Sequence, residues 1–213
     1  MNVVIMNAPP RDTSDLEKSL IGTNVFVRKI CDWQHAGAFH TAIRAFECGL
    51  EMDGPVTILQ DDILTCNNFV PYVSRFLPQL ESEDLIVSWF DCFLPMRNRM
   101  ESPRLYGMEP RDFRMTQAAT YSRRWAEQIF KYLCSLSKAK PDDSGAHHGD
   151  DAYIRDALIG YKKPWHYHSP SLVQHIGLHS LVAPGMPLTN SHKRISNTFV
   201  GVEFDVMQWP KLL

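Results

Sequence analysis

No stretch of the 213-residue chain reaches the roughly 18 consecutive apolar residues of a membrane span. The first residues also lack the basic-then-apolar order of a secretory leader. These two absences lead to the expectation of a cytoplasmic protein without membrane insertion. Cysteine spacing excludes more: Cys31, Cys48, Cys66, Cys92 and Cys134 are odd in number, far apart and set among apolar neighbours. They read as buried free thiols rather than as a disulfide framework or a zinc site. The chain has no internal repeat, no low-complexity tract and no Gly-rich phosphate loop of the kind many nucleotide-binding enzymes carry. A formal net charge of only -2 argues against a generic binder of polyanions.

What is present is enough for one core. A chain of this length at 44% hydrophobic composition predicts a single domain. Asn2-Val3-Val4-Ile5-Met6 is a β-branched run that stops at Asn7-Ala8-Pro9-Pro10, which predicts a buried strand followed by a loop holding Arg11. A second strand is expected over Asn24 to Ile30, ending near Asp32. Phe39, Ala42, Ile43, Ala45 and Phe46 fall at helical spacing from Ala38, with Gly49 placed as a C-cap and Gly54-Pro55 as a turn. Val56-Thr57-Ile58-Leu59 then predicts a buried strand running into Gln60-Asp61-Asp62-Ile63.

Strand, helix and strand with short links imply a mostly parallel sheet, hence a Rossmann-like arrangement. Helical pieces limited by Pro71 and Pro78 are expected over Asn67 to Leu80, and a strand over Leu85 to Phe90. A long loop is expected from Pro95 to Pro110, a strand over Thr116 to Tyr121 and a helix from Arg123 to about Leu136. The polar stretch Lys140 to Gly145 reads as exposed. Asp151 to Ile159 reads as a helix with Asp150 as N-cap and Gly160 as C-cap. The tail from Pro184 reads as loop with one or two short strands.

Asp61-Asp62 is the sharpest chemical signal. Ligands of open α/β sheets bind outside the carboxyl ends of the strands, and Mg²⁺ or Mn²⁺ reaches such a protein through one or two carboxylates and substrate phosphate. Alone, the pair reads equally well as two acidic residues ending a strand in solvent. Its surroundings change that. Leu59-Gln60-Asp61-Asp62-Ile63 resembles the Leu-Glu-Asp-Asp-Ile form of the acidic motif of GT-A glycosyltransferases. Pro170-Ser171-Leu172-Val173-Gln174-His175-Ile176-Gly177 resembles a segment late in several families of that fold, among them the N-acetylglucosaminyltransferase IV-like enzymes.

The resemblance covers roughly residues 1 to 182 and implies a single GT-A domain of small phage or bacterial type. In it, residues 1–90 form a nucleotide-sugar half, 91–182 an acceptor half and 183–213 a tail or lid. It implies a Mn²⁺ or Mg²⁺ ion at Asp62, with Asp61 toward the donor ribose because Gln60 replaces the usual first carboxylate. His175 would complete the metal shell, with His179 as the second choice. It also implies a nucleotide-sugar donor, UDP-sugar by family leaning, with Arg11 and Asp32 as contacts on the donor side.

His147-His148-Gly149-Asp150-Asp151 resembles the segment in which inverting members of the fold carry a general base before a helix. Asp150 is the expected base, and Asp151 the structural partner, able to pair with Arg155 four residues on. Both fit a simple helix start as well, since acidic residues there complement the macrodipole. Lys193 and Arg194 are candidates to close over the diphosphate, although such a pair also serves solubility. Trp125 and Trp165 read as core rather than as a sugar platform.

Charge along the chain bears on the acceptor. Between Arg97 and Lys140 ten basic residues stand against four acidic ones, a segment of +6 against -8 for the remainder. That asymmetry leads to the expectation of a polyanionic acceptor, with hydroxymethylated DNA bases as one choice and a bacterial-type glycan as the other. Two further readings stay open: a non-catalytic nucleotide- or glycan-binding module of the same fold, and a nucleotidyltransferase.

Overall fold

The computed structural model describes residues 1–22, 24–34, 36–91, 103–113, 116–139, 149–176, 196 and 198–209. One side of the central sheet is built on β1 (Asn2–Asn7), buried along its whole length between two parallel neighbours, β2 (Phe26–Cys31) and β3 (Val56–Gln60). The β-branched run at Val3-Val4-Ile5 suits this place, because a strand covered on both faces has no polar side to alternate with. Successive side chains take opposite faces: Val4, Met6 and Ile58 enter one apolar cluster, Val3, Ile5 and Leu59 the other. Ile5 is fully buried, and each such side chain contributes about 1.5–3 kcal/mol as an upper figure.

The sheet continues through β7 (Ala118–Tyr121), β5 (Ile86–Ser88), β8 (Trp165–Ser169) and β6 (Arg104–Met108), in the order β2-β1-β3-β7-β5-β8-β6. Five strands run one way, while β7 and the edge strand β6 run against them. The chain is thus an α/β protein with a mostly parallel central sheet, as expected, and with antiparallel insertions that the sequence reading did not foresee.

The layer containing Val4 is covered by α2 (Ala38–Leu50), α5 (Arg123–Ala139) and α6 (Asp150–Gly160); α5 sends Trp125, Ala126, Ile129 and Leu133 inward at helical spacing. The opposite layer holds α1 (Ser14–Ser19), α3 (Phe69–Ser74) and α4 (Leu77–Ser82). The two prolines do divide the helical stretch, Pro78 standing in the first turn of α4. Trp125 and Trp165 are core residues, as expected.

Some expectations change. Gly49 lies inside α2 rather than beyond it, because a Cβ there would run into Val56 on β3; the glycine serves close helix–sheet approach. Asp150 is the first residue of α6, the N-cap is Gly149 and the helix runs through Gly160. Part of the expected Pro95–Pro110 loop is β6, an edge strand whose half-exposed residues carry no apolar run to announce it. Cys31, Cys48, Cys66 and Cys134 are free, and burial pushes the Cys66 thiol up to about 12.

Candidate functional site

The parallel strands β1, β2, β3, β5 and β8 all end on one rim of the sheet, and β7 begins there. The acidic pair lies just past β3. Asp61 is 8% exposed and both its oxygens are engaged: Oδ2 accepts from the Ala8 amide at 2.6 Å and from Asn7 Nδ2 at 3.2 Å, and Oδ1 accepts from Arg11 Nη1 at 2.6 Å. Asp61 therefore organises the loop after β1. The same Arg11 nitrogen reaches Asp62 Oδ2 at 2.7 Å, so one guanidinium bridges the two carboxylates.

His175 arrives by a route that residue spacing does not reveal. Directly after Asp62 the chain forms β4 (Ile63–Thr65), which pairs antiparallel with β9 (Val173–His175), Ile63 opposite His175. The Ile176 amide also donates to the Asp62 carbonyl at 2.8 Å. This two-stranded sheet puts His175 Nε2 3.1 Å from Asp62 Oδ2. The two side chains lie within ion-pairing distance, and among the described residues both His175 Nε2 and Asp62 Oδ1 are buried without a hydrogen-bond partner. Burial pushes the Asp62 carboxyl up, but His175 and Arg11 outweigh it and leave the acid below its ordinary range.

A buried polar atom left in this way costs about 1–3 kcal/mol. An oxygen of Asp62 and a nitrogen of His175, orphaned on touching side chains, form a donor set that a divalent cation would satisfy. Its mixed O,N character suits Mn²⁺ better than Mg²⁺, which prefers oxygen alone. Among the described residues no three His, Cys, Asp or Glu side chains form a metal cluster.

Asp150 stands on the same rim through its partners. The Gln60 amide hydrogen of β3 bonds to Gln117 O at 2.9 Å, Gln60 Nε2 donates to Thr116 Oγ1 at 3.1 Å, and that hydroxyl donates to Asp150 Oδ2 at 2.5 Å. Asp150 is 5% exposed, and burial together with the neighbouring Asp151 raises its pKa to about 6, against the opposing pull of the Thr116 hydrogen bond. Arg155 Nε lies 3.8 Å from Asp156, in place of the ion pair with Asp151 that the spacing suggested. Asp151 Oδ1 accepts from the Ala152 amide.

Asp32 is buried and accepts from the Ala36 and Gly37 amides at 2.8 and 2.9 Å, fixing the loop that leads into α2. Its oxygens thus build the rim. The next residue, Trp33, presents an indole that is 73% exposed, and the sequence reading passed it over. It also passed over Asn7, Thr116 and Asp91; Asp91 is buried after β5 and accepts from Ser169 Oγ and Thr198 Oγ1 at 2.9 and 3.1 Å, tying residue 198 to the rim. Nothing local marks such residues, since each is defined by partners distant in sequence.

His179, Lys193 and Arg194 lie outside the described residues, as do Arg97, Arg99 and Cys92. Within the basic segment, Arg104 pairs with Ser169 at the rim end of β8. Arg123 and Arg124 follow the far end of β7: Arg123 donates to the Leu50 and Met52 carbonyls and to Glu127, and Arg124 meets Asp84 at 3.2 Å. The described arginines therefore do not share one face. A cavity of about 260 Å³ between α1 and β4, lined by Asp15, Ser19, Thr65 and Asn68 among others, touches none of Arg11, Asp61, Asp62 and His175.

No protein-family model matches the chain, and no curated protein matches it. Among solved structures, A197 from STIV is similar over 82% of this chain and 84% of that one, at 13% identity and a TM-score of 0.49. Likeness at that level assigns neither family nor chemistry.

Proposed function

We propose that the chain is a metal-dependent, inverting glycosyltransferase that moves a sugar from a nucleotide-sugar donor, a UDP-sugar by resemblance, to an acceptor hydroxyl. The observation that carries this reading is the Asp62–His175 contact, with an orphaned oxygen and an orphaned nitrogen beside Arg11 at the carboxyl rim. Asp62 Oδ1 and His175 Nε2 would hold the divalent ion, which offsets negative charge on the diphosphate leaving group when bound. Arg11, which bridges the carboxylates, would contact the same diphosphate, and the exposed Trp33 would offer an apolar ring to the nucleoside base.

Asp150 takes the acceptor's hydroxyl proton. The freed oxygen bonds to the anomeric carbon, the bond from that carbon to the diphosphate oxygen breaks, and its electron pair leaves on the diphosphate. Addition of UDP-sugars with Mn²⁺ should raise the melting temperature by mass action, and Asp62→Asn should remove the Mn²⁺-dependent part of that rise with circular dichroism unchanged. A rise equal with and without Mn²⁺ in both proteins would overturn the metal assignment.

The proposed acceptor is a polyanion, with hydroxymethylated DNA bases first and a bacterial-type glycan second. Support comes from the +6 segment and from Arg104 at the rim, whereas Arg123 and Arg124 are held elsewhere. If DNA is the acceptor, affinity should fall steeply with salt, and Arg104→Gln should flatten the slope by about one phosphate contact. Absence of DNA binding at low ionic strength would leave the glycan.

A further inference from the structure

We propose that Thr116 and Gln60 are positioning residues for Asp150, forming a relay in which the Gln60 amide sets the direction of the Thr116 hydroxyl and that hydroxyl holds Asp150 Oδ2. The inference rests on Asp150 being the base, and it concerns residues outside the carboxylate motif itself. A threonine hydroxyl has one proton to give. Since Gln60 Nε2 donates into Thr116 Oγ1, the oxygen's lone pairs are occupied from that side and its proton is directed to Asp150.

An amide at position 60 is essential to this polarity. A carboxylate there would accept the Thr116 proton and withdraw it from Asp150. The departure of Gln60 from the acidic motif thus gains a physical account: the side chain that gives up a place beside the metal residues connects β3 to the base on α6. The relay holds Asp150 Oδ2 toward Thr116. It also favours the ionised carboxylate against the burial that opposes it.

The charged group that acts on Asp150 is Asp151 on its own helix, and Asp150 in turn helps to raise the Tyr121 phenol on β7. The turn at Pro110–Asp112 packs against α6 and brings Arg111 and Asp112. The helices that pack against α6 also carry charged or titratable residues, His40, Arg44 and Glu47 on α2 and Arg123, Arg124, Glu127, Lys131 and Lys138 on α5. None of these would change in the variants used.

The test is a pH titration of the Asp150 carboxyl carbon by NMR on ¹³C-labelled protein without substrate, compared with the pH profile of transfer. Thr116→Val should raise the Asp150 pKa by about half a unit or more and lower kcat roughly 10-fold with donor KM unchanged, as expected for a lost hydrogen bond to the charged form. Thr116→Ser should restore both, and Gln60→Leu should produce a smaller shift of the same sign. An Asp150 titration identical to wild type in both Thr116→Val and Gln60→Leu would overturn the relay. If Thr116→Val does not fold, Gln60→Leu decides it by the same readout. Should the titration move as expected while Asp150→Asn transfers sugar at the wild-type rate, the relay stands as geometry and the base assignment fails instead.

Discussion

At the scale of single residues, the site divides into side chains that are spent and side chains that are not. Asp61 and Asp32 have both oxygens occupied by amides or by Arg11, so they shape the rim. Asp62 and His175 keep one polar atom each without a hydrogen-bond partner among the described residues. Asp150 differs again, because burial holds its pKa near about 6, a value from which it can accept a proton at neutral pH. Asp150→Asn should leave donor affinity near normal and lower turnover by roughly 10²-fold or more. In the wild type, transfer should rise with pH along a single acid limb near pH 6, and steady-state rates between pH 5 and 8 would check it; a flat profile would remove Asp150 from the role.

At the scale of elements, legibility followed from where each element finds its support. β1, β3, α2 and α5 bury a continuous run or a helical stripe against the sheet, and their own composition announces them. β4 and β9 are three residues each and exist only because they pair, so His175 could be placed near Asp62 by resemblance but not by periodicity. β8 reads Trp-His-Tyr-His-Ser, with two histidines where a buried strand would be sought as aliphatic. Its His168 is nonetheless fully buried, satisfied by Tyr72 Oη and the Pro170 carbonyl. The role of Gln60 was hidden for the same reason: its partner Thr116 lies 56 positions away. Gly49 offers an element-scale test, since its meaning changed from helix end to helix–sheet contact. Gly49→Ala should destabilise the protein by about 1–3 kcal/mol through overpacking against Val56, despite the better helix propensity of alanine. Urea unfolding checks this, and combination with Val56→Ala should cost less than the two changes added together. Additive costs would remove the contact as the cause.

At the scale of the whole molecule, two buried titrating groups on different elements act on stability in opposite directions. Asp150 has a folded pKa of about 6 against an ordinary 3.8. Between those values the folded state holds more protons than the unfolded one, so stability falls as pH rises through this window. His168 has a folded pKa lowered to about 4 from 6.5 by burial, in spite of its bond to the Pro170 carbonyl. That carbonyl can only accept, so Nδ1 carries the proton and Nε2 accepts from Tyr72. For His168 the unfolded state holds more protons between about pH 4 and 6.5, so stability rises with pH. Each effect is on the order of 3 kcal/mol over its range, and in the wild type the two oppose each other between about pH 4 and 6. Asp150→Asn removes only the falling contribution, so its unfolding free energy should climb with pH by an amount of that order. His168→Gln should show the reverse trend, with a lower baseline from lost packing. Urea unfolding of the three proteins at closely spaced pH values checks both signs. Parallel pH dependence in all three would mean that neither group titrates across folding in the window assigned to it.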